Sequence, residues 1–350
     1  MLWLLTIADV TSSYQVYYNV DQGTAGMGGI PREPYPPLEV DVTVYGIAPL
    51  NETQGERACI LPGCFPWTSG AFPELQCTDG HVTSITNGGV PQAANLSLHL
   101  NLIREQLPRW IPNSSWSGNA VIDFEAWTTV WAEMDNHVNG PCYQNYSRAL
   151  VQQEEPSWDA AKVDAAAKER WNAAAITFFV ETLRTCVSIR PAARWGFYGL
   201  PSRGPDYGAG ANRPPYSDYA AQQLPIFKMA TALYPSIYLT ENEPRGRSAQ
   251  MIRNVLDEVQ SLAARVEAAT GRRPQVLPYV WEFYQKTETM LNDADLNTTL
   301  GLPKILKADG VVVWGSLHMV SNATQAAYWR HMQEKTGPLV QAIVTAGGKL

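Results

Sequence analysis

The sequence is poor in charge. Asp, Glu, Lys and Arg make up 17% of its 350 residues, against roughly 25% in an average soluble domain. Bases are the scarcer sign: 26 Lys and Arg face 33 Asp and Glu, for a net charge of -7. A net acidic chain lacks the global electrostatic footprint that nucleic acid demands. No run of about 18 apolar residues occurs, so no segment reads as a membrane span. No Cys-x-x-Cys pair occurs, and the five histidines (His81, His99, His137, His318, His331) are scattered. Neither a metal nor any other cofactor is implied. Gly and Pro follow no period, which excludes a collagen-like chain.

Apolar residues are plentiful, at 45%, and the chain carries 12 Trp, 16 Tyr and 8 Phe. That excludes a disordered chain and suits one large folded domain. Trp and Tyr offer a flat face with a polar handle, which suits sugars, although most such rings are core. The five cysteines are Cys59, Cys64, Cys77, Cys142 and Cys186. The first three cluster in a loop-like stretch, where a local bridge is expected; the number is odd, so the pairing stays open. Asn-x-Ser/Thr acceptors occur at Asn51, Asn95, Asn113, Asn145, Asn297 and Asn322. Six of them point to the secretory pathway, hence a secreted or lysosomal protein. Residues 1–13 begin apolar without a basic start and read as a candidate signal remnant.

Strand-like and helix-like segments alternate. Gln15–Asn19, Leu38–Tyr45, Ala120–Phe124, Arg194–Tyr198, Ser236–Leu239, Val276–Val280 and Gly310–Trp314 read as strands. Leu96–Leu107, a stretch from an N-cap at Ser157 to Ile189, Ser248–Thr270 closed by Gly271, and Leu296–Lys307 read as helices. Tyr207–Pro215 is loop. Continuous apolar strands between helices predict a parallel sheet covered on both faces. With no linker-like break, the expected architecture is α/β: one (β/α) TIM-like barrel, a single domain over residues 1–350.

In such a barrel the active site lies at the C-terminal strand ends. The strand AVIDFE ends in Asp123 and Glu125. Residues two apart share one face of a strand, so both carboxyls can point into the barrel mouth while Phe124 points back toward the helices. Two close carboxyls cannot ionise independently, which keeps one protonated as a general acid. The plainer alternative is that Asp123 caps a helix and Glu125 is solvated. Other strand ends supply Tyr198, Tyr238, Tyr279 and Trp314, three phenols and an indole around a carboxyl pair, which favours a sugar-sized site.

Several stretches resemble the animal hyaluronidases, glycoside hydrolase family 56. They are AVIDFEAW (120–127), NGGVPQAANLSLHL (87–100), SRALVQQEEPSW (147–158), WGFYG (195–199), LYPSIYL (233–239), VLPYV (276–280) and ADGVVVWGS (308–316). They follow the family's order and cover most of residues 85–340. The resemblance implies a distorted (β/α) barrel and endo-hydrolysis of hyaluronan, and in many members chondroitin, at the N-acetylglucosaminide bond. It implies that Glu125 is the general acid/base and that Asp123 positions and polarises the N-acetyl group. Tyr238 and Tyr279 would line the acetamido subsite. Tyr198 and Trp314 match further substrate contacts, and Arg253 matches a substrate-contacting arginine. The nucleophile would be the N-acetyl oxygen itself, giving retention by a substrate-assisted route, one of the exceptions to the two-carboxylate scheme.

Departures accompany the resemblance. The family's usual core disulfides are absent, both halves of each bridge together. Residues 46–85 read as an inserted Cys-containing loop, with Leu61 where the family often has a nearby tyrosine. No EGF-like tail is expected, since the chain ends at Leu350. Two rival expectations remain: the same mechanism acting on a chondroitin-type glycosaminoglycan, or a non-catalytic glycan-binding paralogue. The net charge opposes a polyanionic substrate. Arg245, Arg247 and Arg253 are candidate local counter-charges, and an acidic working pH is expected.

Overall fold

The structure, a computed structural model, describes residues 14–21, 39–40, 42–45, 72–201, 216–242, 244, 246–316 and 322–345. Strands and helices alternate along it. Strand β1 (Gln15–Asp21) is followed by β2 (Glu39–Val40) and β3 (Val42–Tyr45), then by a hairpin of β4 (Glu74–Thr78) and β5 (His81–Thr86). Next come α1 (Leu96–Trp110), β6 (Asn119–Asp123), α2 (Gly140–Glu154), α3 (Ala160–Ile189), β7 (Arg194–Phe197) and α4 (Tyr216–Met229). The chain continues through β8 (Ala232–Leu233), α5 (Arg247–Thr270), β9 (Gln275–Val276), β10 (Tyr279–Trp281) and α6 (Asp293–Ile305). It ends with β11 (Gly310–Ser316), α7 (Asn322–His331), a π-helical turn (Met332–Thr336) and α8 (Gly337–Thr345).

Among the described residues, every ladder outside the hairpin is parallel. One sheet runs β10-β11-β1-β2, a second β3-β6-β7, and a third β8-β9. Single parallel bridges join Tyr198 to Tyr234 and Ser236 to Tyr279. Taken together, the ladders succeed one another in the ring order of a (β/α) barrel. They stay separate instead of closing one continuous sheet, so the barrel is distorted.

Proline explains much of that distortion. The expected strand Ser236–Leu239 is instead β8 at Ala232–Leu233, followed only by isolated bridges. Pro235 has no N–H to give to a ladder, although its carbonyl still accepts from Tyr279 N at 2.8 Å. Pro278 likewise divides the expected strand Val276–Val280 into β9 and β10. The expected strand Leu38–Tyr45 is also split, with β2 pairing to β1 and β3 to β6.

Helix α3 starts later than the sequence suggests. Its N-cap is Asp159, whose carboxylate accepts from Lys162 N at 2.8 Å, while Ser157 lies in the preceding turn. A charged acceptor at the N-terminus is the stronger cap. Helix α5 ends as expected at Gly271, whose φ of +73° is a left-handed C-cap that glycine adopts without strain.

The expected Cys-containing loop over 46–85 contains, in its described part, the hairpin β4–β5. Cys77 does not bridge to its local neighbours. It bonds Cys142 on α2, 65 residues away, and Cys186 is free and buried. Cys59, Cys64 and Leu61 lie outside the described residues, as do residues 1–13 and the loop Tyr207–Pro215. In the chain-entropy view a bridge of that span contributes about 4 kcal/mol. Tyr143, next to Cys142, reinforces it by accepting from Leu75 N at 3.0 Å.

The core has two layers, sorted by the two-residue period of the strands. Tyr17, Val121, Ala232, Tyr234, Leu277, Tyr279 and Val312 fill the barrel interior. Their neighbours Val16, Ile122, Leu233, Val276, Val280, Val311 and Val313 face outward to the helices. Gly196 on β7 makes room for this interior. A Cβ there would lie 2.3 Å from the Ala232 carbonyl oxygen and 2.9 Å from the Tyr234 ring. Gly196→Ala is therefore expected to lower stability by about 1–3 kcal/mol, read as a shift in the urea midpoint at unchanged m-value.

One buried acid lies behind β10. Glu282 is 1% exposed and accepts from the Thr336 hydroxyl of the π-helical turn, with Tyr328 of α7 beside it. Burial pushes its carboxyl up to about 7. The folded protein thus holds this proton more tightly than the unfolded chain does, and the stability it contributes is lost as pH rises from about 4.5 to 7. Glu282→Gln should flatten that part of the stability-versus-pH curve. The change is on the order of 3 kcal/mol between the two limits, measured by denaturant titration across pH 4–8.

Candidate active site

The carboxyl pair is built by one strand. Along β6, Val121 points into the barrel, Ile122 points out, and Asp123 points in again, at the level where the strand ends. Phe124 turns back as expected and stacks on Phe72 at 4.2 Å, with Phe179 of α3 at 6.3 Å. Glu125 follows on the inner face, and its side chain hydrogen-bonds that of Asp123.

The segment is anchored on both sides. Trp127 is 2% exposed and donates from Nε1 to the Pro73 carbonyl at 2.7 Å. Trp171 of α3 donates to the Thr128 carbonyl at 3.0 Å. Asp123 caps no helix: the next helical turn spans Trp131–Asn136 and has Val130 as its N-cap. The plainer alternative for Asp123 therefore does not hold.

The electrostatics of the pair follow from its place. Burial, then the neighbouring Glu125 charge and the hydrogen bond to Glu125, push the Asp123 carboxyl well above the usual carboxylate range. Burial also raises Glu125, against the lowering effect of its hydrogen bond with Asp123. The pair thus holds a shared proton above the ordinary carboxylate range. Glu125 keeps an exposed surface while protein crowds its flanks. It is open to a ligand yet poorly hydrated, the setting in which a carboxyl stays protonated above its ordinary range.

The sequence-predicted rings converge beside the pair. Tyr198, one residue past β7, is half-buried; its amide donates to the Ile122 carbonyl at 2.9 Å, which sets it beside Asp123. Its phenol is raised by burial and by the Glu125 charge, and hydrogen bonds to Tyr238 and Ser236 offset part of that. Tyr238 lies 6.3 Å from Tyr198 and stacks on Trp314 at 6.0 Å and 27°. Tyr279 differs. It is 2% exposed and meets Tyr198 edge-on at 4.9 Å, so it forms the floor beneath the other rings.

Trp281 is the ring that sequence reading missed. It pairs in register with Trp314, meets it edge-on at 5.0 Å and lies 5.8 Å from Tyr238. The signal was present, since Trp281 is two residues after Tyr279 and shares its face. It was lost because the strand was expected to end at Val280. Arg253 is exposed on the second turn of α5, outside this ring cluster. Arg247 opens the same helix, and Arg245 lies outside the described residues. Among the described residues no three His, Cys, Asp or Glu side chains converge on a cation-sized site, and no helix is long and apolar enough to cross a membrane.

Two carboxyls sharing a proton, flanked by phenols and indoles, can deliver that proton to an oxygen of a ring-stacked sugar. Known proteins similar to this chain are hyaluronidases. The honeybee (Apis mellifera) hyaluronidase is 33% identical over 311 residues, 85% of this chain and 78% of its own. The pig (Sus scrofa) hyaluronidase-1 is 34% identical over 287 residues, 80% of this chain and 63% of its own. The crystal structure of bee venom hyaluronidase in complex with a hyaluronic acid tetramer superposes with a TM-score of 0.71 at 28% identity, covering 87% of this chain and 99% of that one. The sequence profile of the hyaluronidase family matches residues 49–349, and the chain belongs to that family.

Proposed function

We propose that this protein is an endo-acting hyaluronidase that hydrolyses hyaluronan at N-acetylglucosaminide bonds with retention, by a substrate-assisted route. The observation that carries the reading is the hydrogen-bonded pair Asp123–Glu125 at the barrel mouth. Carboxyls that hydrogen-bond each other lie closer than the roughly 5 Å that separates acid and nucleophile across a glycosidic bond. They act from one side, and the substrate's own acetamido oxygen is left to attack from the other.

In the first step Glu125 carries the pair's one proton, which leaves Asp123 anionic, and gives it to the glycosidic oxygen. The acetamido oxygen bonds to the anomeric carbon as the bond to the leaving sugar breaks. Asp123, then anionic, accepts the acetamido N–H and makes that oxygen a better nucleophile. In the second step water attacks the anomeric carbon of the oxazolinium, and Glu125 takes its proton back. Tyr198 and Tyr238 border the acetamido subsite with Tyr279 as its floor, and Trp314 offers a sugar-stacking face. Arg253 is assigned to a more distant substrate contact by family resemblance alone. The family match over residues 49–349 is read as one catalytic domain. Secretion or lysosomal delivery is supported by the six glycosylation acceptors and by a disulfide.

Glu125→Gln keeps the shape and removes the acid. It should lower kcat on hyaluronan by on the order of 100-fold or more with an unchanged melting temperature. The assay is release of reducing N-acetylglucosamine ends; wild-type rates from that variant would sink the assignment. The pH profile tests the pair itself. Both carboxyls are raised, so activity should persist above the ordinary Glu range and fall as pH rises through the pair's upper apparent pKa. In Asp123→Asn the second negative charge is gone, and the residual activity should lose its alkaline limb at lower pH than the wild type. An unmoved limb would show that the two carboxyls do not share a proton.

A further inference from the structure

His137 is one of the five histidines scattered along the sequence. Its ring lies against the catalytic segment: Nε2 is 2.8 Å from the backbone carbonyl oxygen of Glu125, and Nδ1 is 3.4 Å from Asn139 N. These partners settle the tautomer. A carbonyl oxygen only accepts, so Nε2 carries the hydrogen; a backbone N–H only donates, so Nδ1 is bare.

The ring is held from behind. His137 N donates to the Met134 carbonyl at 3.1 Å, and its own carbonyl accepts from Gly140 N at 2.9 Å. The turn closes tightly, because a Cβ on Gly140 would fall 1.7 Å from the Met134 carbonyl oxygen. Gly140 in turn begins α2, which carries the disulfide partner Cys142. Glu125 itself lies past the end of β6, where the strand ladder no longer holds its backbone.

We propose that His137 is a positioning residue for the acid/base: its Nε2–H bond to the Glu125 carbonyl sets the backbone from which the Glu125 side chain projects. The role rests on the assignment of Glu125 as acid/base. Nothing in it requires His137 to touch substrate. A backbone shift of about 1 Å at a reacting group can cost up to 100-fold in rate, while substrate contacts made by the ring wall persist.

The test compares His137→Ala, His137→Gln and Glu125→Gln in the whole chain, with kcat and KM on hyaluronan and melting temperature for each. A glutamine amide nitrogen is as many bonds from the backbone as Nε2 and donates likewise. His137→Ala should lose about tenfold in kcat with KM within twofold and an unchanged melting temperature. His137→Gln should regain most of the lost kcat. A kcat for His137→Ala within twofold of wild type overturns the proposal. Equal losses in both His137 variants, or a loss carried by KM or by melting temperature, do so as well. An active Glu125→Gln overturns the Glu125 assignment first, which separates the two failures.

Discussion

Two carboxyls that share one proton need a place where neither is free to ionise on its own. Asp123 and Glu125 have that place because they are two residues apart at the end of one strand, where the barrel interior meets its mouth. The dry layer beneath them, formed by Val121, Tyr279, Val312 and their neighbours, removes water from one side. The rings of Tyr198, Tyr238 and Trp314 pack against the same layer and remain partly open on the other. The raised carboxyls and the partly open rings are therefore products of one arrangement: the inward face of parallel strands, read one step beyond the last layer of core.

This arrangement tolerates a broken barrel. Pro235 and Pro278 interrupt the ladders, and single bridges take over at Tyr198–Tyr234 and Ser236–Tyr279. The interruptions fall next to Tyr234, Tyr238 and Tyr279, where ring packing takes the place of ladder hydrogen bonds. Tyr279 lies edge-on to both Tyr234 and Tyr198, and edge-to-face pairs of this kind contribute about 0.5–1.5 kcal/mol beyond burial. The aromatic surplus has two uses as a result. Trp127, Trp171 and Trp195 are core, while Trp281 and Trp314 are half-buried at the mouth.

Local signals were read correctly where one period or one residue type dominates. The AVIDF strand, the helix closed by Gly271 and the apolar run GVVVW all appear with nearly the expected bounds. Apart from the local shift of the α3 cap, the errors share a cause, since each depends on a partner distant in sequence. The Ser157 cap lost to Asp159 two residues later. The local cysteine bridge lost to Cys142, which only the packing of the hairpin on α2 brings near. Strand ends at Val280 and Leu239 were misplaced because bridging depends on which neighbour has an N–H to give.

The sequence alone determined which carboxyls can pair, which rings can join them, and the family to which the chain belongs. Spacing along a strand dictates which side chains share a face, and spacing is written in the chain. Only the tertiary structure decided how those side chains stand to one another. It set Tyr279 as floor instead of wall, added Trp281 beside Trp314, and brought the His137 ring to the Glu125 carbonyl from 12 residues away. Burial and hydrogen bonding depend on distances between strands, and those exist only once the barrel has packed.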